Sequence, residues 1–210
     1  MKTRTSRGAR GRLTLATLGA TAALVLAGAP AHAATIDVDY DANGTTHVAS
    51  TNSNITLGPA VLHSSVEADG SFVGNMVLPG TRTEFKLLGF IPVTANVNFE
   101  PVGPTVGQLA REGRKQVLTS TSKYYVRLTN IKASIFPLFA GPFCRTTNPV
   151  VIPGNTPAGE AFDTVNGGRL IGEYSIGNFQ NCGLNTLLIN SIIPGSGNTI
   201  ELNLNNGRLP

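Results

Sequence analysis

The sequence predicts an all-β fold: a β-sandwich, or a barrel-like relative of one, of about nine to twelve short, mostly antiparallel strands with one disulfide. Three observations carry that prediction. Apolar residues recur at every second position along most of the chain after residue 34, the period of a sheet covered on one side. Many of the 24 Gly and 13 Pro fall between those segments as turns. Charged residues make up only 13 % of the chain, and Val, Ile, Thr and Phe are frequent where helix formers are sparse. Long helical periodicity is missing, which argues against parallel α/β architectures.

Residues 1–33 read as an address. Lys2, Arg4, Arg7, Arg10 and Arg12 precede an apolar run from Leu13 to Gly28, and Ala31 and Ala33 supply the small residues of a signal-peptidase site. Cleavage between Ala33 and Ala34 is expected, leaving 34–210 as a single secreted β domain. A membrane anchor is the competing reading, but the run is short for a span of roughly 20 residues and is dotted with Gly and Thr. With no Arg-Arg pair the general secretory route is favoured over the twin-arginine route. No later run is long enough to span a membrane, and Asn205–Pro210 holds no sorting signal, so any cell-wall association is expected to be loose and non-covalent.

The leader also carries the charge. The whole chain has 16 Lys+Arg and 12 Asp+Glu, hence +4. Five of the 16 basic residues and none of the 12 acidic ones lie before residue 34, so the remainder has 11 basic and 12 acidic residues, net −1. Nothing in that balance points to nucleic acid.

Thr35 to Ala42 alternates into Asn43-Gly44 and Thr45 to Ser50, which predicts a hairpin with its turn at Asn43-Gly44. Asp39, Asp41 and Asn43 followed by Gly44 also match the first half of a calcium loop, a weak candidate because position twelve is Ser50 where a bidentate Glu is needed. Asn54 to Glu67 follows as one strand, or two broken at Gly58-Pro59. Ser71 to Leu78, Arg82 to Leu88 and Val93 to Glu100 are further strands, the last with Val93, Ala95, Val97 and Phe99 inward. Thr105 to Ala110 leads into the charged turn Arg111–Lys115, read as a solvated tip or an anion patch. Lys123 to Ile135 is the longest β-like segment, and Lys123, Arg127 and Lys132 fit a protected edge.

Ile135 to Phe143 holds two Pro and a Gly and cannot be a regular helix. Its aromatics either cover the core or line an apolar binding surface around Phe136, Phe139 and Phe143; inward packing is the commoner outcome. Pro153 to Gly159 shows no strand pattern. Val165–Gly168 turns into a strand from Arg169 to Ile176. Leu184 to Ile193 fits a short helix, with Leu184, Leu187, Leu188 and Ile192 at helical spacing, or a strand. Asn198 to Leu204 closes the fold with Ile200, Leu202 and Leu204 inward.

Cys144 and Cys182 lie in polar, turn-rich segments 38 positions apart. In an exported chain the simplest reading is one disulfide stapling two β segments, with about 4 kcal/mol expected from the loop it closes. A metal site or a reactive thiol wants a nearby His or a second Cys, and neither is close in sequence.

No catalytic constellation emerges. His47 and His63 are the only His after the leader, and no Gly-x-Ser-x-Gly or His-Glu-x-x-His is present. Phosphate loops and dinucleotide fingerprints are missing, so no cofactor is expected. A glycosidase needs only two carboxylates, and Glu67, Glu84, Glu100 and Glu173 fall on strand segments with nothing to select a pair.

The motifs Cys144-Arg145-Thr146-Thr147-x-Pro149, Gly168-x-Leu170-x-Gly172-x-Tyr174-x-Ile176, Phe179-x-x-Cys182-Gly183 and Ile193-Pro194-Gly195-x-Gly197-Asn198 resemble secreted β-rich proteins of high-GC Gram-positive bacteria such as streptomycetes. So does Leu87–Ala95 upstream. The resemblance implies a secreted protein with one disulfide and no catalytic residues to carry over. The expectation is therefore a secreted, non-catalytic module binding a cell-wall component, a lipid or another secreted protein. A carboxylate-pair hydrolase and a carrier of an apolar ligand, with a cavity beside Phe136, Phe139 and Phe143, are the alternatives.

Overall fold

A computed structural model describes residues 35–87 and 90–210; the expected leader and the Ala33–Ala34 cleavage site lie outside them. The strands are β1 (Ile36–Val48), β2 (Ser53–Val66), β3 (Ser71–Met76), β4 (Thr81–Leu87), β5 (Ile91–Pro101), β6 (Thr105–Glu112), β7 (Lys115–Ala133), β8 (Phe136–Pro137), β9 (Arg145–Thr146), β10 (Val150–Asn155), β11 (Gly167–Ile176), β12 (Phe179–Gln180) and β13 (Gly195–Arg208). One short helix, α1 (Thr186–Asn190), precedes β13.

The all-β expectation holds. Among the described residues 13 strands form one sandwich-like antiparallel sheet; ten follow in the order β10-β11-β13-β1-β2-β3-β6-β7-β5-β4, while β8 and β9 pair with β7 and β12 with β9. It folds back on itself: β10 also pairs with β7 from Val150↔Tyr124 to Asn155↔Thr119. Only Asn155↔Ile171 links β10 to β11, so the wall is not a continuous barrel. Side chains alternate in and out of the space enclosed, as a period of two requires. Two apolar clusters fill it. One, with Val97, Leu128, Ile176 and Phe179, lies where β7 and β11 end. The other, with Leu57, Leu62, Phe72 and Leu204, lies where they begin, and half-buried Phe99, Ile152 and Ile200 pack against both.

Four expectations about single elements are corrected. Asn43-Gly44 is no turn: β1 runs through it, paired with β2 and β13 on either side, and neither residue is left-handed. The glycine serves a close approach instead, since a Cβ at Gly44 would stand 2.2 Å from the Glu201 carbonyl oxygen. The true β1–β2 connection is a 3-10 turn at Ala49–Thr51, ended by Asn52 at φ 46°. β7 is not an edge. It pairs with β6 and β10 along its first half and with β5, β8 and β9 along its second. Arg127 therefore faces Glu100, its Nε 2.9 Å from Oε1. Pro153–Asn155 belongs to β10, where Pro and Gly hide the strand pattern although the pairing to β7 is unbroken. The helix after Cys182 turns Ile189 into the core and leaves Leu184 and Leu187 outside, because Asn190 fixes which face docks.

Candidate functional site

The two cysteine segments form the bond expected of them. Cys144 and Cys182 are joined at 2.02 Å, both fully buried. Beside them β9 and β12 pair through Phe179↔Thr146 and Gln180↔Arg145, so two β segments are stapled as the sequence suggested. Polar side chains finish the job. The Val126 N–H donates to Thr146 Oγ1 at 3.3 Å, and the Leu128 N–H donates to the Cys144 carbonyl at 2.8 Å. Asn190 grips Phe179 twice: it accepts from the Phe179 N–H at 2.6 Å and donates from Nδ2 to the Phe179 carbonyl at 2.9 Å.

Asn198 is the hub on the other side. Fully buried, it accepts from the Ala49 N–H at 3.0 Å and donates to the carbonyls of Tyr174 at 3.2 Å and Gly195 at 3.0 Å. One amide thus satisfies backbone groups from the β1–β2 turn, β11 and β13. Ser50 adds a bond to the Ile193 carbonyl at 2.6 Å.

What this scaffold displays is apolar. Ile135, Phe136, Phe139 and Phe143 are 80, 68, 82 and 69 % exposed, and Leu184 and Leu187 are 101 and 85 % exposed. The inward packing expected of Phe136, Phe139 and Phe143 is thereby overturned. The block uses its inward positions for Leu138 and Ala140, which pack on the core. The Leu138 N–H donates to the Ile131 carbonyl at 2.8 Å, tying that position down and leaving the rings outside. The Phe139 and Leu184 segments touch: Asn185 Nδ2 donates to the Phe139 carbonyl at 3.2 Å.

Behind this surface the core is nearly solid. The apolar void beneath it, lined by residues including Leu128, Leu138 and Ile189, has about 60 Å³, and none of the three phenylalanines borders it. Ligand pockets run to roughly 300 Å³ and more, so this void, among the described residues, is too small to be the cavity that a carrier was expected to have beside those rings. A larger apolar cavity of about 310 Å³ lies toward the other end, among Val38, Tyr40, Leu62, Phe72, Phe162 and Leu209. Burial, helped by nearby Asp163, pushes the Tyr40 hydroxyl up to about 12, and that hydroxyl donates to the Thr164 carbonyl at 2.8 Å.

The calcium candidates sit on extended backbone in β1, spread along the strand rather than wrapped around a point. Asp39 lies 2.8 Å from His63 Nδ1. Asp41 takes Arg208 at 2.8 Å and Asn206 at 3.0 Å, which hold its carboxyl below the usual range. Asn43 is exposed. Among the described residues, no three His, Cys, Asp or Glu side chains gather as metal ligands would.

Other carboxylates are held by cations. Glu100 bridges Arg127 and Arg145, and Arg145 also stacks 4.2 Å from the Tyr125 ring. Arg169 holds Glu160 at 2.5 Å and Glu201 at 3.3 Å. Asp41, Asp69, Glu160 and Asp163 are all shifted downward, the first and third chiefly by hydrogen bonds from side chains, Asp69 by Ser71 and Asp163 by backbone N–H groups of its turn.

Sequence reasoning located the disulfide and the Phe136–Phe143 block but missed Asn190 and Asn198. An asparagine between turns looks like any solvated loop residue until its neighbours are known. No family model, curated protein or solved structure matches this chain.

Proposed function

We propose that this chain is a secreted, non-catalytic extracellular or cell-surface module that binds a partner through the apolar end around Phe136, Phe139, Phe143, Leu184 and Leu187. One observation carries the reading: large apolar side chains are displayed outward on loops that a disulfide and four asparagine or serine side chains hold in place. Exposing such a cluster costs solubility, and contiguous exposed apolar surface marks interaction sites. Export and kinship with streptomycete-like secreted proteins rest on the leader pattern and the motif residues of the sequence.

The direct test is capture. The chain from Ala34 onward is incubated with cell walls, membranes and culture lipids, beside a Phe136→Ser/Phe139→Ser/Leu187→Ser variant. Retention of the native chain and loss of the variant is expected; equal retention of both would overturn the reading. N-terminal sequencing of the protein from culture medium should begin at Ala34.

One observation favours a second reading. The 310 Å³ apolar cavity around Tyr40, Phe72 and Phe162 suits a small hydrophobic ligand. Native mass spectrometry of protein purified from its producer should then show a bound apolar mass, and an empty chain would count against a carrier.

A further inference from the structure

We infer that the apolar end docks on an anionic lipid surface, with Phe136, Phe139, Phe143, Leu184 and Leu187 at the boundary between headgroups and acyl chains and Lys86 and Lys132 against the phosphates. This rests on the binding-module reading and names its partner.

Two features choose lipid over a protein partner. The first is shape. Side chains exposed at 80 % and above stand clear of the body as separate knobs, not as the walls of a groove. A protein partner must carry a preformed pocket for each knob, whereas a fluid interface closes around all of them. Because the loops are already fixed by the Cys144–Cys182 bond and the Asn185–Phe139 and Asn190–Phe179 hydrogen bonds, little ordering is left to oppose insertion.

The second feature is charge. Residues 85–87, 90–99, 128–149 and 174–198, which lie at this end, contain no Asp or Glu. Their charged residues are Lys86, Lys132 and Arg145. Arg145 is occupied by Glu100 and Tyr125. Lys86 and Lys132 are exposed beside the apolar loops: Lys132 pairs in register with Pro137, next to Phe136, and Lys86 with Pro92, whose carbonyl accepts from the Ser134 N–H. Glu84 is exposed on the same face of β4, two residues from Lys86, so Lys132 is the lysine without an acidic neighbour on its own strand. Apolar tips on uncharged loops, flanked by exposed lysines, match a negatively charged bilayer face.

The experiment is co-sedimentation of the chain from Ala34, which comprises the compact unit, with phosphatidylglycerol–phosphatidylcholine vesicles and with phosphatidylcholine vesicles alone. Binding to the mixed vesicles is expected, with weaker binding to the neutral ones and a fall as salt rises. Lys86→Gln and Lys132→Gln should each weaken binding to the mixed vesicles about fivefold and leave neutral binding unchanged. Phe136→Ser/Phe139→Ser/Leu187→Ser should lose both while keeping the native melting temperature. No vesicle binding by the native chain, or binding indifferent to the triple variant, overturns the lipid assignment. If vesicles fail but capture on cell walls, or self-association, is lost in the same variant, the binding-module reading stands without lipid. If nothing is captured, both fall.

Discussion

At the end where β2 meets β3 and β6 meets β7, the turns carry Glu67, Asp69, Glu112, Arg114 and Lys115, and the loop before β11 adds Glu160 and Asp163. At the end where β7 and β11 stop, residues 133–144 and 174–200 contain no charged side chain. The charged turns close themselves. Asp69 takes the Ser71 N–H at 2.9 Å and hydroxyl at 2.7 Å, and Asp163 takes the N–H groups of Val165 and Asn166 at 2.8 and 2.7 Å. The uncharged loops are longer, and they bury Phe179 and Ile189 while leaving Phe136, Phe139, Phe143, Leu184 and Leu187 outside. Their order comes from one covalent bond and a few buried amides. A loop that need not be held by its apolar residues is free to display them.

That contrast can be broken at several points. Replacing both cysteines with Ala should have the largest effect, about 4 kcal/mol from the 38-residue separation alone. In urea denaturation the midpoint drops, and hydrogen exchange accelerates across 134–146 and 178–190 while the β2–β3 turn keeps its protection. Uniform acceleration at both ends would show that the staple supports the whole sheet equally.

Asn198→Leu comes next. It strands the Ala49 N–H and the Tyr174 and Gly195 carbonyls in a dry site, for about 3 kcal/mol by chemical denaturation. A loss under 1 kcal/mol would mean that water replaces the amide.

Alkali attacks the other core. Tyr40 and Tyr124 are pushed from 10.0 to about 12 by burial, Tyr40 also by Asp163, and both are buried in the cluster toward the charged end. Each remains protonated in the folded chain where it would ionise in the unfolded one. Their contribution is therefore complete below pH 10 and is lost as pH rises through about 12, roughly 2 kcal/mol apiece. Melting temperatures should be level up to pH 10 and fall steeply above it; a flat profile to pH 12 would refute the assignment.

The smallest effect on stability is the one that matters for function. Phe139→Ser and Leu187→Ser remove exposed side chains and should change stability by less than about 0.5 kcal/mol. A larger loss in thermal melts would show that these residues pack after all.

The framework was legible because burial follows the period of two: Val93, Ala95 and Val97 are buried as their alternation demands, and so are Leu202 and Leu204. What failed depended on partners remote in the chain. Gly44 looked like half of a turn, but the strand that needs it narrow is β13, more than 150 residues on. Arg127 looked like an edge guard because Glu100 lies on another strand. The Phe136–Phe143 block misled for a different reason. Hydrophobicity predicts burial only when a surface is available to receive it, and here Leu138, Ala140 and Ile189 already fill the space behind.

The pairing of β1 with both β2 and β13 has a consequence in time. Every ladder contact from Asp39↔Arg208 to His47↔Thr199 joins residues more than 150 positions apart. β1 can acquire its second neighbour only once β13 has been made. Such non-local pairing slows folding toward the millisecond-to-second range, and a nascent chain leaves this sheet topologically incomplete until β13 arrives. Deleting β13 should accordingly yield no stable partial domain, since β1 and β11 would each lose the same partner at once.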